Sequence, residues 1–342
     1  MSTNETALPP HVQLIQMATG CWVSRIVYMA AELGLADHLA DGPRSAADLA
    51  GPTSTHERSL HRLMRALAGF GILTEQTPGQ FGLTPLGEAM RPGAPGAAHA
   101  TILTMAGQWA WRAWEEFPHS VATGGTAMER ALGMPIFDYL AAHPAEASRF
   151  SEAMVGIHGA EPSAVADAYD FSDATTLVDV GGATGHLLTT VLASNPRLRG
   201  VLFDRPHVVK DAPALIAQRG LIDRVTIDEG DFFERVPSGG DIYLMSHIIH
   251  DWSEQQCLTI LGNCRAVMGP ASRLLIVEFV LPEGDAPHFG KLADMVMLAL
   301  PGGEERTADE YRTLLDKAGF RMTRVVPTAT PVSVVEAVPA VN

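Results

Sequence analysis

The stretch Thr176-Leu-Val-Asp-Val-Gly-Gly-Ala-Thr-Gly-His186 constrains the fold more than any other: a short β-branched apolar run ends in an acid and then breaks into small residues. This order predicts a strand, a tight turn and a helix starting near Gly185. Small residues let the backbone approach a ligand closely, and the first N–H groups of the helix, which lack partners within it, point into the same space. Such a turn suits a nucleotide-like group. Ordinary strand-to-helix corners can look similar, so the segments that follow must decide.

The first of these is Arg199-Gly-Val-Leu-Phe-Asp204, a second buried strand that ends in a carboxylate about 20 residues beyond the turn, where an acid grips ribose hydroxyls. A third strand, Val225-Thr-Ile-Asp-Glu229, runs into Gly230-Asp-Phe-Phe233. Asp231 there offers an acid for an amino group, and Phe232 an aromatic face for a purine. A dinucleotide oxidoreductase would space its glycines as G-x-G-x-x-G, which Gly181, Gly182 and Gly185 do not satisfy. The pattern instead resembles the D-x-G-x-G-x-G turn of S-adenosylmethionine-dependent methyltransferases. Ala183 stands where that turn usually has its middle glycine, so slightly weaker or shifted cofactor binding is expected.

With 342 residues, 46% hydrophobic and 18% charged, the chain has material for two globular domains. A formal charge of −15 disfavours a nucleic-acid backbone or an anionic membrane as main partner. Cys21, Cys257 and Cys264 form no C-x-x-C pair, so neither a zinc site nor a disulfide framework is expected. The first ten residues lack a basic start followed by an apolar run, and no 18 uninterrupted apolar residues occur. A soluble, cytoplasmic protein is expected.

Before the glycine turn the periodicity is helical. Val12, Ile15, Met17, Trp22, Ile26, Met29, Leu33 and Leu35 mark one or two amphipathic helices, and Leu60, Leu63, Met64 and Leu67 share a face of a helix over 56–70. Short strands at Gly71-Ile-Leu-Thr and Gln80-Phe-Gly-Leu-Thr flank a Pro78-Gly79 turn. Together these read as a winged helix over residues 1–104. Arg58, Arg62 and Arg65 at helical spacing raise the alternative of a DNA-binding regulator. Residues 1–105 hold six Arg against eight Asp or Glu, which favours an architectural or dimerising module. Residues 105–169, with Trp109, Trp111 and Trp114 and with Arg149, Phe150 and Met154 on one segment, read as linking helices contributing to a pocket. Residues 170–342 alternate strands and helices, which predicts a mostly parallel sheet.

A fourth strand, Asp241–Ser246, leads into His247-Ile-Ile-His-Asp-Trp252. His250 therefore lies at a carboxyl end, the edge that faces the ligand crevice of an open α/β sheet, where an imidazole can act as a base. Glu278, inside the apolar fifth strand Arg273–Val280, demands a partner, and a histidine suits it. In Pro301-Gly-Gly-Glu-Glu-Arg-Thr307, Glu304 reads as a solvated charge and Glu305 as a further partner of His250.

Asp179-Val-Gly-Gly, Phe203-Asp-Arg-Pro-His-Val, Gly230-Asp-Phe-Phe, His250-Asp-Trp-Ser and Gly302-Gly-Glu-Glu-Arg-Thr occur in the order found in one family. The chain resembles the small-molecule O-methyltransferases that include plant caffeate methyltransferases and bacterial antibiotic-tailoring enzymes. That resemblance spans nearly the whole chain. It implies a Rossmann-like α/β methyltransferase domain, an N-terminal winged-helix dimerisation domain, a homodimer, S-adenosylmethionine as cofactor and no metal. Carried over, it assigns Gly181 and Asp204 to the methionine part and ribose, Asp231 and Phe232 to adenine, Ser246 to the cofactor's far side and Arg149 to its carboxylate. His250 would be the general base, with Glu278 and Glu305 holding its ring and Asp251 beside it. The substrate, an aromatic hydroxyl on a small secondary metabolite, would meet Met154, Met295, the Trp109 region and the loop before Pro301. Members that bind the cofactor yet hydroxylate or decarboxylate leave non-methylating chemistry as the alternative reading. A cofactor-sensing regulator is a more distant one, and a plain scaffold has no need for ordered acids after its second and third strands.

Overall fold

The computed structural model describes residues 8–96 and 98–340; the start of the chain, read above for targeting signals, lies mostly outside them. Backbone contacts divide the chain into two units, one running to Arg112 and including Asp138–Gly159, the other made of Ala113–Phe137 and the chain from Ala160 onward. The 105–169 segment is thus shared between both.

In the first unit, helices Pro10–Ala18, Gly20–Glu32 and Glu57–Gly69 precede an antiparallel hairpin of β1 (Leu73–Thr77) and β2 (Gln80–Leu83). The first strand starts two residues later than its expected Gly71, because Gly71, at φ +71°, turns the chain out of the helix. Leu60, Met64 and Leu67 are buried on one face of Glu57–Gly69 against Leu35, Leu49 and Phe81, while Arg58, Arg62 and Arg65 are exposed. Apolar side chains bury at helical spacing and the arginines fall opposite, as the periodicity requires. Leu14, Ile15, Met17 and Trp22, on the first two helices, are exposed.

The second unit holds β3 (Thr176–Val180), β4 (Arg199–Asp204), β5 (Val225–Glu229), β6 (Ile242–Ser246), β7 (Arg273–Leu281), β8 (Arg306–Thr307), β9 (Phe320–Pro327) and β10 (Val332–Pro339). The sheet order is β5-β4-β3-β6-β7-β10-β9, with β8 beside β7. The five strands from β5 to β7 are parallel, while β10 runs antiparallel to both β7 and β9. The mostly parallel sheet is therefore present, and a closing antiparallel pair extends it.

Alternation along the strands feeds two core layers. Leu177, Leu202, Leu244, Leu275 and Val277 pack on one side with Leu188 and Val191. Val178, Val180, Phe203, Tyr243, Met245 and Ile276 pack on the other with Ile260, Leu261 and Leu315. Helices cover both faces, so both sets of alternating residues are apolar and each buried side chain contributes about 1.5–3 kcal/mol. No helix among the described residues is long and apolar enough to cross a membrane.

Candidate active site

At the carboxyl edge of the sheet the chain leaves β3 through Gly181 and Gly182 and enters helix His186–Ser194 at Gly185. Gly181 and Gly185 take φ of +74° and +85°, which a side chain would resist. Room is short as well. A Cβ on Gly181 would come within 2.4 Å of Ile248 Cδ1, and one on Gly182 within 2.5 Å of the Asp179 carboxyl. Ala183 is bulkier than the expected glycine and is also held at φ +49°, a left-handed conformation that costs an L-residue roughly 1–2 kcal/mol. Its N–H donates to Asp204 Oδ2 at 2.9 Å, which ties the turn to the end of β4.

Two acids of this turn are buried beyond their comfort. Asp179 Oδ2 has no hydrogen-bond partner among the described residues. Burial, with the nearby Asp204 charge, pushes the Asp179 carboxyl up to about 7. Burial also raises Asp204, although its oxygens accept the N–H groups of Ala183 and Arg205. At the end of β5, Asp231 Oδ1 accepts the Phe233 N–H at 2.8 Å, and Phe232 lies near Gly181 and against Phe233 and Trp252. Gly181, Asp204, Asp231, Phe232 and Ser246 thus all sit at carboxyl ends of β3, β4, β5 and β6.

The chain beyond β6 forms a short 3-10 turn, Ile249–Asp251, that carries His250. His250 Nδ1 lies 2.8 Å from Glu305 Oε1, and Asp251 Oδ1 is 3.6 Å from Nε2. Glu305 reaches the ring because β8 pairs Arg306 with Val280 of β7, and its own N–H donates to Asp294 Oδ1. Burial alone would lower the basicity of His250. The carboxylates of Asp251, Glu305 and Glu278 outweigh it and push the imidazole up to about 10, well above the ordinary histidine value. Burial raises the Glu305 carboxyl, with His250 opposing.

Glu278 corrects the expected geometry. It does not hold the ring: Oε1 accepts the backbone N–H groups of Ile248, Ile249 and His250 at 3.0, 2.7 and 3.2 Å, and Oε2 accepts the Tyr311 hydroxyl. A buried carboxylate finds its compensation in three adjacent amides at the start of the turn, so it fixes the backbone that carries His250. The carbonyl side is fixed too. The Ile249 carbonyl accepts from Cys257 Sγ at 3.2 Å and Arg306 Nη1 at 3.3 Å, and the His250 carbonyl accepts the Glu304 N–H at 2.9 Å. That last approach requires Gly303, whose Cβ would stand 1.8 Å from the His250 oxygen. Glu304 is exposed, as expected, yet its Oε1 meets the buried Arg306 at 2.9 Å.

Sequence reasoning missed Tyr311, Cys257 and Arg306, and also a second imidazole. His247 Nε2 is 2.7 Å from Glu161 Oε2, and the His247 and His250 ring centroids are 5.1 Å apart. A glutamate followed by proline, Glu161-Pro162, marks the helix start in the sequence, and only the structure shows that glutamate to be buried. Met295 is half-buried on helix Gly290–Ala299 of the same unit. Arg149 and Met154 lie on helix Pro144–Ile157 of the first unit, and Trp109 is buried there against Tyr139.

Comparison with known proteins gives the frame for this geometry. Residues 114–321 match the O-methyltransferase domain, and residues 15–91 match the O-methyltransferase dimerisation domain. The chain is 45% identical to phenazine O-methyltransferase PhzM of Lysobacter antibioticus over 97% of both chains. It is 36% identical to aclacinomycin 10-hydroxylase RdmB of Streptomyces purpurascens, across 86% of this chain and 80% of that one. The crystal structure of NcsB1, an O-methyltransferase from neocarzinostatin biosynthesis in complex with S-adenosylmethionine and 2-hydroxy-5-methyl naphthoic acid, matches with a TM-score of 0.81. Identity there is 30%, with 93% of this chain and 96% of that one covered.

Proposed function

This chain belongs to the S-adenosylmethionine-dependent O-methyltransferases, and from that membership we propose that it methylates a phenolic hydroxyl of a small aromatic or polyketide-type metabolite, with His250 as general base. The observation that carries the reading is the buried His250–Glu305 pair, 2.8 Å apart, on the same sheet edge as the glycine turn.

The turn fits the cofactor. Gly181 keeps a Cβ out of the space that Ile248 and Phe232 already fill beside the turn, and the buried Asp179 Oδ2 lacks a donor among the described residues, which a ligand's polar groups can supply. In this assignment Gly181 and Asp204 meet its methionine part and ribose, Asp231 and Phe232 its adenine, and Ser246 its far side. When bound, S-adenosylmethionine supplies a methyl group on a cationic sulfur.

The residues of the chain then do three things. Glu278, Arg306, Cys257 and Gly303 hold the His250 backbone, and Glu305 orients its ring through Nδ1, leaving Nε2 for the acceptor hydroxyl. His250 takes the phenolic proton as the oxygen attacks. A phenol titrates near 10, about where the surrounding carboxylates push His250, so the transfer is close to balanced. Holding the acceptor in line makes the largest contribution to rate. The dimerisation domain and the exposed Leu14, Ile15, Met17 and Trp22 support a homodimer, for which a monomeric hydrodynamic mass at micromolar concentration would be decisive against.

The test is transfer of labelled methyl to a panel of phenolic aromatics by the native protein and by His250→Ala, with cofactor binding followed by calorimetry. Labelled product that disappears in a variant still able to bind is the expected result; binding with a product lacking added methyl mass would favour the non-methylating alternative. The pH profile is a second check. Because the base works only when unprotonated and its conjugate acid lies near 10, kcat/KM should climb from pH 7 to 9. A plateau from about pH 6.5 upward, the behaviour of an ordinary imidazole, would contradict it.

A further inference from the structure

We propose that His247 and Glu161 form a proton relay that empties His250 between turnovers; this rests on the reading of His250 as the base. Two imidazole–carboxylate pairs stand side by side at this edge: His250 with Glu305 at 2.8 Å and His247 with Glu161 at 2.7 Å, their rings 5.1 Å apart and tilted by 49°. That separation is one that a single bridging water spans.

Three features set the second pair apart from ordinary packing. His247 takes φ +53°, one of three positive values among the described non-glycine residues, and such strain concentrates at functional positions. Its partner Glu161 is a nearly buried carboxylate, which needs a stated reason. The carboxylates, not the imidazoles, differ in access: Glu305's side chain is 0% exposed and Glu161's 10%, while His250 and His247 are alike at 9% and 11%.

The chemistry requires an exit. Each turnover converts a neutral hydroxyl and a cationic donor into a neutral ether, a neutral thioether and one proton. That proton reaches His250 Nε2, where Asp251, Glu305 and Glu278 all favour keeping it. From His250 it crosses to the His247 ring, the proton on His247 Nε2 passes to Glu161, and Glu161 returns it to water. No other reactant is consumed. Asp251, at 3.6 Å from Nε2, stabilises the imidazolium and so opposes its discharge.

The experiment compares single-turnover and steady-state methyl transfer by the full chain, using labelled S-adenosylmethionine and an accepted phenol. His247→Asn is the variant of choice, since asparagine tolerates positive φ and keeps a donor for Glu161. A single-turnover rate near that of the native protein, with a burst of one methylation per site and a kcat lower by about tenfold, is expected. Added imidazole should restore kcat, and Glu161→Gln should behave alike. Equal falls in both rates, or no change in either, would overturn the relay, as would the burst pattern appearing in Asp251→Asn alone. The base reading fails separately: His250→Asn would then leave the single-turnover step intact.

Discussion

The glycine turn and the His250 loop lie on one edge of one sheet, yet they are built in opposite ways. Around the turn, glycines stand where a Cβ would collide, and one buried polar atom, Asp179 Oδ2, has no partner among the described residues. Around His250 the backbone is held on both sides, with Glu278 accepting three backbone amides and a tyrosine hydroxyl, and the one buried oxygen without a partner there among the described residues is Glu305 Oε2. Under the proposed function the difference separates two tasks. A surface that receives a polar ligand leaves hydrogen bonds for the ligand to complete, whereas a base that must keep one geometry through every turnover needs its backbone already held.

Removing the support of the His250 backbone should therefore cost most. Glu278→Ala leaves three amides and the Tyr311 hydroxyl without their acceptor, and it should lower unfolding free energy by about 3–5 kcal/mol in a denaturant titration. A loss under about 1 kcal/mol would mean that the loop has other support. Gly303→Ala probes the same loop from its carbonyl side. Its Cβ cannot stand 1.8 Å from the His250 oxygen, and the resulting shift of about 1 Å should lower kcat on the order of 10²-fold with cofactor affinity kept. Unchanged turnover would remove His250 positioning from the role of Gly303.

The turn should respond in the other direction. Asp179 titrates near 7 in the folded protein and near 3.8 when unfolded, so its contribution to stability falls as pH rises from about 4 to 7 and stays low above that. Asp179→Asn should raise stability at pH 8 by about 1–2 kcal/mol while weakening cofactor binding. A variant less stable than the native protein at that pH would show that the carboxylate is already compensated. The smallest effect is expected at Ala183. Relief of its φ of +49° in Ala183→Gly, partly offset by chain entropy, should add about 0.5–1 kcal/mol, and isothermal titration should find cofactor affinity equal or better.

The placing of the acids at strand ends was legible in the chain. Asp204 ends a short apolar run and Asp231 follows the alternating Val225–Glu229, and a strand's end is visible in a sequence because alternation or burial stops there. His250 and Glu305 were legible for a related reason, each lying just beyond a strand or before a capped helix. Glu278 was seen to need a partner, but the partner was misjudged. A histidine looks like the natural match for a buried acid, while three successive backbone amides leave no mark on residue identity. Tyr311 and Glu161 leave no local signal of their partners because they meet Glu278 and His247 across 33 and 86 positions of chain.

Local order along the chain was enough to determine the elements, the parallel part of the sheet and the edge that carries the glycine turn and the His250 loop, since hydrophobic periodicity and turn residues act over a few neighbours. Which atoms compensate each buried charge was decided only by the tertiary structure. Crossover connections bring β7, β8 and the His250 loop together, and a carboxylate inside that packing is satisfied by whatever donors the fold delivers to it.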